Sequence, residues 1–191
     1  DPNFATLLHS APILMIGDDH ELWNNAPFHQ WQICKTYSDQ GRKDWTKVAS
    51  DLYSAFQYGR TDAATPGRAT TQFMLPGLSM LAWDRRFERT RKQLASAQAF
   101  QELSQFVAQV AAGSDQHGAL AVMFMGSSLF SGNQNFVKER FVDKEPADYG
   151  EDYKRLWNIL TGAGVPVLVV GGDIHFSRAM AAVHPTRPPV Y

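Results

Sequence analysis

Val165-Pro166-Val167-Leu168-Val169-Val170 runs straight into Gly171-Gly172-Asp173-Ile174-His175. An apolar run without polar alternation, ended by glycines, is the pattern of a strand buried on both faces of a sheet. Working outward, residues 12–16, 78–83 and 119–125 repeat the pattern, and residues 178–183 predict a last strand. Between them apolar residues recur at helical spacing. Trp45, Val48, Ala49, Leu52, Tyr53 and Phe56 predict a helix over 43–58, stopped by Gly59. Leu94, Phe100, Leu103, Val107 and Val110 predict a second over 91–112, and Tyr149, Tyr153, Leu156, Trp157 and Leu160 a third. Residues 59–71, rich in Gly, Thr and Pro, read as a loop, Pro76-Gly77 as a turn, and 185–189 as an irregular segment. Strands alternating with helices define an α/β layered sheet.

Composition narrows the function classes. The 191 residues carry 18 basic and 19 acidic side chains, for a net charge of −1, so no basic field draws nucleic acid or anionic lipid over the whole surface. Five Trp, twelve Phe and six Tyr exclude a disordered, solvating chain. Cys34 is the lone cysteine, so neither an internal disulfide nor a cysteine-based zinc site can form, and it is expected to pack as a small apolar residue. No segment has the apolar length of a membrane span.

The carboxyl end of each expected strand carries polar chemistry. The first ends in Gly17-Asp18-Asp19-His20-Glu21, the second in Asp84-Arg85-Arg86, the third in Gly126-Ser127-Ser128 and the fourth in Gly171-Gly172-Asp173-Ile174-His175. Ligands of α/β sheets sit beyond that edge. Aspartate and histidine converging there suit a metal with oxygen and imidazole ligands. Asp173 and His175 point the same way if the strand continues. Arg85 or Arg86 would clamp a phosphate group bidentately. Metal, arginine and histidine together suit phosphoester hydrolysis.

Gly17-Asp18-Asp19-His20-Glu21-Leu22-Trp23-Asn24-Asn25 resembles the "W-D-D-H-E-x-x-N-N" block of the alkaline phosphatase D (PhoD-like) family of calcineurin-like metallophosphoesterases. Asp84-Arg85-Arg86 with Phe87 and Arg89 resembles its "D-x-R-x-x-R" block, and Gly172-Asp173-Ile174-His175-Phe176-Ser177 its "G-D-x-H-x-S" block. The resemblance implies a layered αββα sheet sandwich and a binuclear centre using iron, calcium, manganese or zinc. By position it makes Asp19, Asp173 and His175 metal ligands and His20 the general acid or charge stabiliser. Family members carry further metal motifs upstream of the first block. Only sixteen residues precede Gly17 here, so residues 1–191 are expected to be one partial domain, incomplete at both ends. A small phosphate ester is the expected partner, self-association through an exposed sheet edge is a further expectation, and relatives exported from the cytoplasm lean the location the same way.

Blander readings stand beside these. Asp18-Asp19-His20 can be a helix cap, and Asp173-x-His175 a strand end with a structural histidine. Asp84-Arg85-Arg86 can be an ion-paired face. Asn24 and Asn25 either shape the loop after His20 or hydrogen-bond a substrate oxygen. His9, His29, His117 and His184 read as structural or surface residues, and Trp45 and Trp157 as core. The alternative to a phosphatase is a non-catalytic α/β scaffold that binds a ligand or partner; a serine hydrolase built on Ser127 or Ser128 lacks the nucleophile-elbow spacing.

Overall fold

The computed structural model describes residues 6, 9–10, 15–28, 30, 32–58, 69–117, 120–130, 146–172 and 179–191. Six strands form one mixed sheet: β1 (Ala69–Leu75), β2 (Leu78–Asp84), β3 (Leu120–Met125), β4 (Val167–Gly171), β5 (Ala182–His184) and β6 (Arg187–Val190). Their order is β1-β2-β3-β4-β6-β5. The pairs β2–β3, β3–β4 and β4–β6 are parallel, whereas β1 and β5 pair antiparallel with β2 and β6. The α/β expectation holds at this level.

Three helices accompany the sheet: α1 (Asp39–Tyr53), α2 (Ala97–His117) and α3 (Glu151–Thr161). Helix α2 makes the crossover from β2 to β3, and α3 that from β3 to β4. Both crossings step the same way along the sheet, so one handedness puts both helices on one face. That face holds the main core: Leu81, Trp83, Ala121, Met123 and Val167 of the sheet against Phe100, Leu103, Phe106 and Val110 of α2 and Leu156 and Leu160 of α3. Each buried Leu, Val, Met or Phe among them contributes about 1.5–3 kcal/mol by leaving water. Trp83 keeps its indole satisfied by donating to the Ala99 carbonyl at 3.2 Å. On the opposite face the register lines up Phe73, Met80, Val122 and Leu168 in one row. No described helix is long and apolar enough to cross a membrane.

Several boundaries differ from expectation for identifiable reasons. Helix α1 begins four residues early because Ser38 caps it, accepting from Gly41 N at 3.0 Å. It ends at Tyr53 in a five-residue π turn, Ser54–Tyr58, not in regular helix. Helix α2 begins later than expected, after Ser96, whose hydroxyl accepts from Ala99 N and donates to Glu88. Strand β1 takes in the end of the expected 59–71 loop. Pro76-Gly77 turns it into β2, with Gly77 at φ 77° supplying the left-handed conformation. Strand β6 forms where 185–189 reads as irregular. Its prolines donate no ladder bonds, and pairing falls on Arg187 and Val190, to either side of them. Of the expected strand 12–16, residues 12–14 lie outside the described residues, and 15–16 are not in a strand.

Two packing expectations are corrected. Cys34 is exposed. Trp45 is 38% exposed, held at the surface by its indole N–H bond to the Leu22 carbonyl at 2.7 Å, and Val48, Leu52 and Phe56 are exposed with it. Helix α1 buries only Ala49 and Tyr53 of its expected apolar face. Ala49 joins a small second core with Leu22, Trp23 and Ala26.

Candidate active site

The ends of the strands converge through glycine contacts. A Cβ on Gly126, just past β3, would stand 2.5 Å from the Gly17 carbonyl, and one on Gly171 2.7 Å from the Ser127 carbonyl. Only glycine lets these backbones approach so closely. Gly17 is also tied to the end of β2, its N–H donating to Asp84 Oδ2 at 2.8 Å. The segment carrying Asp18, Asp19 and His20 is thereby fixed at the carboxyl edge of β2 and β3.

Asp19 sits at the centre of this edge. It opens a short 3-10 turn, Asp19–Glu21, capped by Asp18, whose N–H is bound by the Glu21 carboxylate at 2.7 Å. Asp19 is 2% exposed. Its Oδ2 accepts from Asn25 N at 2.5 Å and stands 3.6 Å from the Arg86 guanidinium. Its buried Oδ1 has no hydrogen-bond partner among the described residues and lies 3.9 Å from His20 Nε2. The His20 side chain is 65% exposed and forms the open side of the cluster.

The two arginines that the sequence offers together part company. Arg86, on a short 3-10 turn after β2, reaches Asp19 at 3.6 Å and Asp18 at 4.0 Å, with its side chain 1% exposed. Arg85 turns instead toward α2, bonding Thr70 and, at 2.7 Å, Glu102, with Glu88 at 3.5 Å. It is not brought to Asp19. The expected clamp on a phosphate therefore does not form from Arg85, because β2 and α2 hold its guanidinium in an ion pair. Asn25 binds Asp19 through its backbone, with φ 63°, so it shapes the loop; Asn24 is exposed. Asp173 and His175, the expected ligands after β4, lie outside the described residues.

Three residues enter the site without having been assigned a role from the sequence. Asp84 is buried, and burial pushes its carboxyl up to about 6, against the opposing pull of the Gly17 N–H, the Tyr53 hydroxyl, the Arg86 N–H and the Arg85 charge. Tyr53 reads in the sequence only as part of an apolar helix face, yet its hydroxyl lies 2.9 Å from Asp84 Oδ2. Arg89 donates to Ser127 Oγ at 2.7 Å, both side chains buried, and lies over the Tyr149 ring. Its only sequence signal is the last arginine of Asp84-x-Arg86-x-x-Arg89. Glu102 is pushed up by burial but held below the ordinary glutamate range on balance by Thr70, Arg85 and Gln98.

A resident metal is tested by the donors present. Among the described residues no group of three or more His, Cys, Asp or Glu is arranged to hold one. The buried Asp19 Oδ1, unpartnered among the described residues, fits one oxygen ligand of a hard cation, with His20 beside it. No family model, no curated protein and no solved structure matches the chain. The fold and the site define a mixed α/β protein with a buried acid–arginine cluster at the carboxyl edge of its parallel strands.

Proposed function

We propose that this chain is, or forms part of, a metal-dependent hydrolase of phosphate esters of the PhoD-like type, mono- or diesterase. The observation that carries the reading is Asp19: a buried carboxylate with one oxygen unpartnered among the described residues, at the strand edge, beside an exposed histidine. Asp19 would hold metal with Asp173 and His175. A metal held there would supply Lewis-acid activation of the phosphoryl group and of an attacking water. His20, open to solvent, gives a proton to the leaving oxygen or stabilises charge. Arg86 is too buried to touch substrate and acts as a positioning residue, holding Asp19 by charge while the Asn25 N–H fixes the same carboxylate. The four-layer αββα sandwich belongs to this proposal. The described sheet and the helix layer of α2 and α3 would be one half of it, and Phe73, Met80 and Val122 would face the other, leaving the β4 end of that row uncovered. Self-association through the edge strand β1, where Phe73, Met74 and Leu75 are exposed, goes with the same reading.

One observation favours a non-catalytic scaffold as the second reading. The Arg86 guanidinium near Asp19 already supplies positive charge to the carboxylate, as a purely structural pair would. Elemental analysis of the purified protein, with hydrolysis of p-nitrophenyl phosphate under added iron, calcium, manganese or zinc, decides between them. Bound metal near stoichiometry is expected, with activity falling about a hundredfold in His20→Ala. Neither metal nor turnover would overturn the enzyme reading and leave the scaffold.

A further inference from the structure

Strand β4 meets β6 only at the Val167–Val190 pair, with the Val169 N–H reaching the Tyr191 carbonyl at 2.7 Å. Beside the carboxyl half of β4 lies a recess of about 330 Å³, lined by Ser128, Phe130, Leu168, Val170, Met180 and Tyr191 among others. No charged side chain is among the described residues that line it. Val170 is 41% and Met180 45% exposed, so both remain open to a ligand. This volume is at the lower end for small-molecule pockets and is enough for a one- or two-ring group.

The recess is continuous with the strand edge that carries the site. Ser128 follows Ser127, the acceptor of the buried Arg89 guanidinium. Gly171, also in the lining, packs so closely that a Cβ there would meet the Ser127 carbonyl at 2.7 Å and Ser128 Cα at 3.2 Å. The apolar wall and the arginine-bearing edge thus meet at neighbouring residues, Ser128 lining the recess and Ser127 accepting from Arg89.

We infer that this recess takes the aryl group of the ester, so that the substrates are phosphate esters of ring-bearing alcohols. This rests on the phosphoester reading above. Rings gain on leaving water and stack on Phe130 and Tyr191, and the apolar lining gives a sugar or polyol hydroxyl no charged partner.

The test is calorimetric titration of the protein with (1-naphthylmethyl)phosphonate, methylphosphonate and 1-naphthalenemethanol, none of which turns over. The naphthyl phosphonate should bind at least about tenfold tighter than methylphosphonate. That advantage should shrink to about twofold or less in Val170→Asp and Met180→Asp, two variants on exposed side chains checked for folding by circular dichroism. Equal affinity of the two phosphonates would overturn the recess and leave the phosphoester reading standing. Naphthalenemethanol binding as tightly as its phosphonate would uphold an aryl pocket while overturning the phosphoester reading. Binding of none of the three would overturn both. Were both variants to unfold, the comparison of phosphonates on the unaltered protein still decides.

Discussion

Tyr53 Oη lies 2.9 Å from Asp84 Oδ2 and 3.0 Å from the Met15 carbonyl oxygen. The hydroxyl has one proton and faces two acceptors. If Asp84 is ionised, only one of the two contacts is a hydrogen bond. If Asp84 is protonated, it donates to Tyr53, Tyr53 donates to Met15, and both are made. The Tyr53 hydroxyl, when it donates to the carboxylate, opposes the burial that keeps Asp84 neutral to about pH 6. It ties helix α1 to the end of β2 and to the segment leading into Asp18-Asp19-His20.

That linkage has a definite sign. The folded carboxyl titrates near 6 against 3.8 unfolded, so between these values the folded state holds more protons. The stabilising contribution is complete below about pH 4 and is lost as pH rises through 6. Asp84→Asn, which keeps a neutral acceptor, should therefore be more stable than the unaltered protein above pH 7, by on the order of 3 kcal/mol. The difference should close as pH falls toward 4. Urea denaturation of both proteins across pH 4–8 measures it, and a difference independent of pH would contradict the assignment. Tyr53→Phe should cost about 1–2 kcal/mol and move the midpoint higher, since the hydroxyl holds the carboxyl down.

The Arg85–Glu102 pair makes a second prediction. Arg85 is 4% exposed and bonds Glu102 across from β2 to α2, with Thr70 of β1 shared between them. Glu102→Gln leaves a buried guanidinium short of a counter-charge, although Glu88 remains at 3.5 Å. A loss of about 1–3 kcal/mol is expected in thermal or urea unfolding. Metal content should not change, because this arginine faces away from Asp19. A drop in bound metal without loss of fold would place Arg85 in the site after all.

Gly126→Ala tests the convergence of strand ends. Its new methyl would stand 2.5 Å from the Gly17 carbonyl, a backbone atom with no rotamer by which to yield. A destabilisation of about 2 kcal/mol or more is expected. Gly113→Ala, where nothing lies within 4 Å of the new Cβ on helix α2, is the contrasting control and should gain about 0.5–1 kcal/mol. Comparable losses in the two would show that 126 tolerates no side chain for some reason other than this contact.

The sequence by itself determined the layered α/β class and the cores of β2, β3 and β4. Apolar runs report burial, and α2 and α3 cover one face of these parallel strands with the matching stripe; the expected burial on both faces is not met in β4, where Val170 is 41% exposed. The sequence also located Asp84-Arg85-Arg86 after β2 and Ser127-Ser128 after β3, since glycine and charged runs mark where chains turn. It missed β1 and β6. One is an edge strand of threonines and exposed apolar residues and the other contains two prolines, so neither has the pattern of a buried strand. It could not separate Arg85 from Arg86. Adjacent residues past a strand end diverge, and only the packing of α2 on β2 and β1 decided that one guanidinium meets Glu102 while the other meets Asp19. Nor could it find Tyr53 beside Asp84, a contact across 31 positions made by the docking of α1 on the strand edge. Local pattern fixes what a segment is; which side chains share a buried cluster is settled by long-range packing, which no local pattern records.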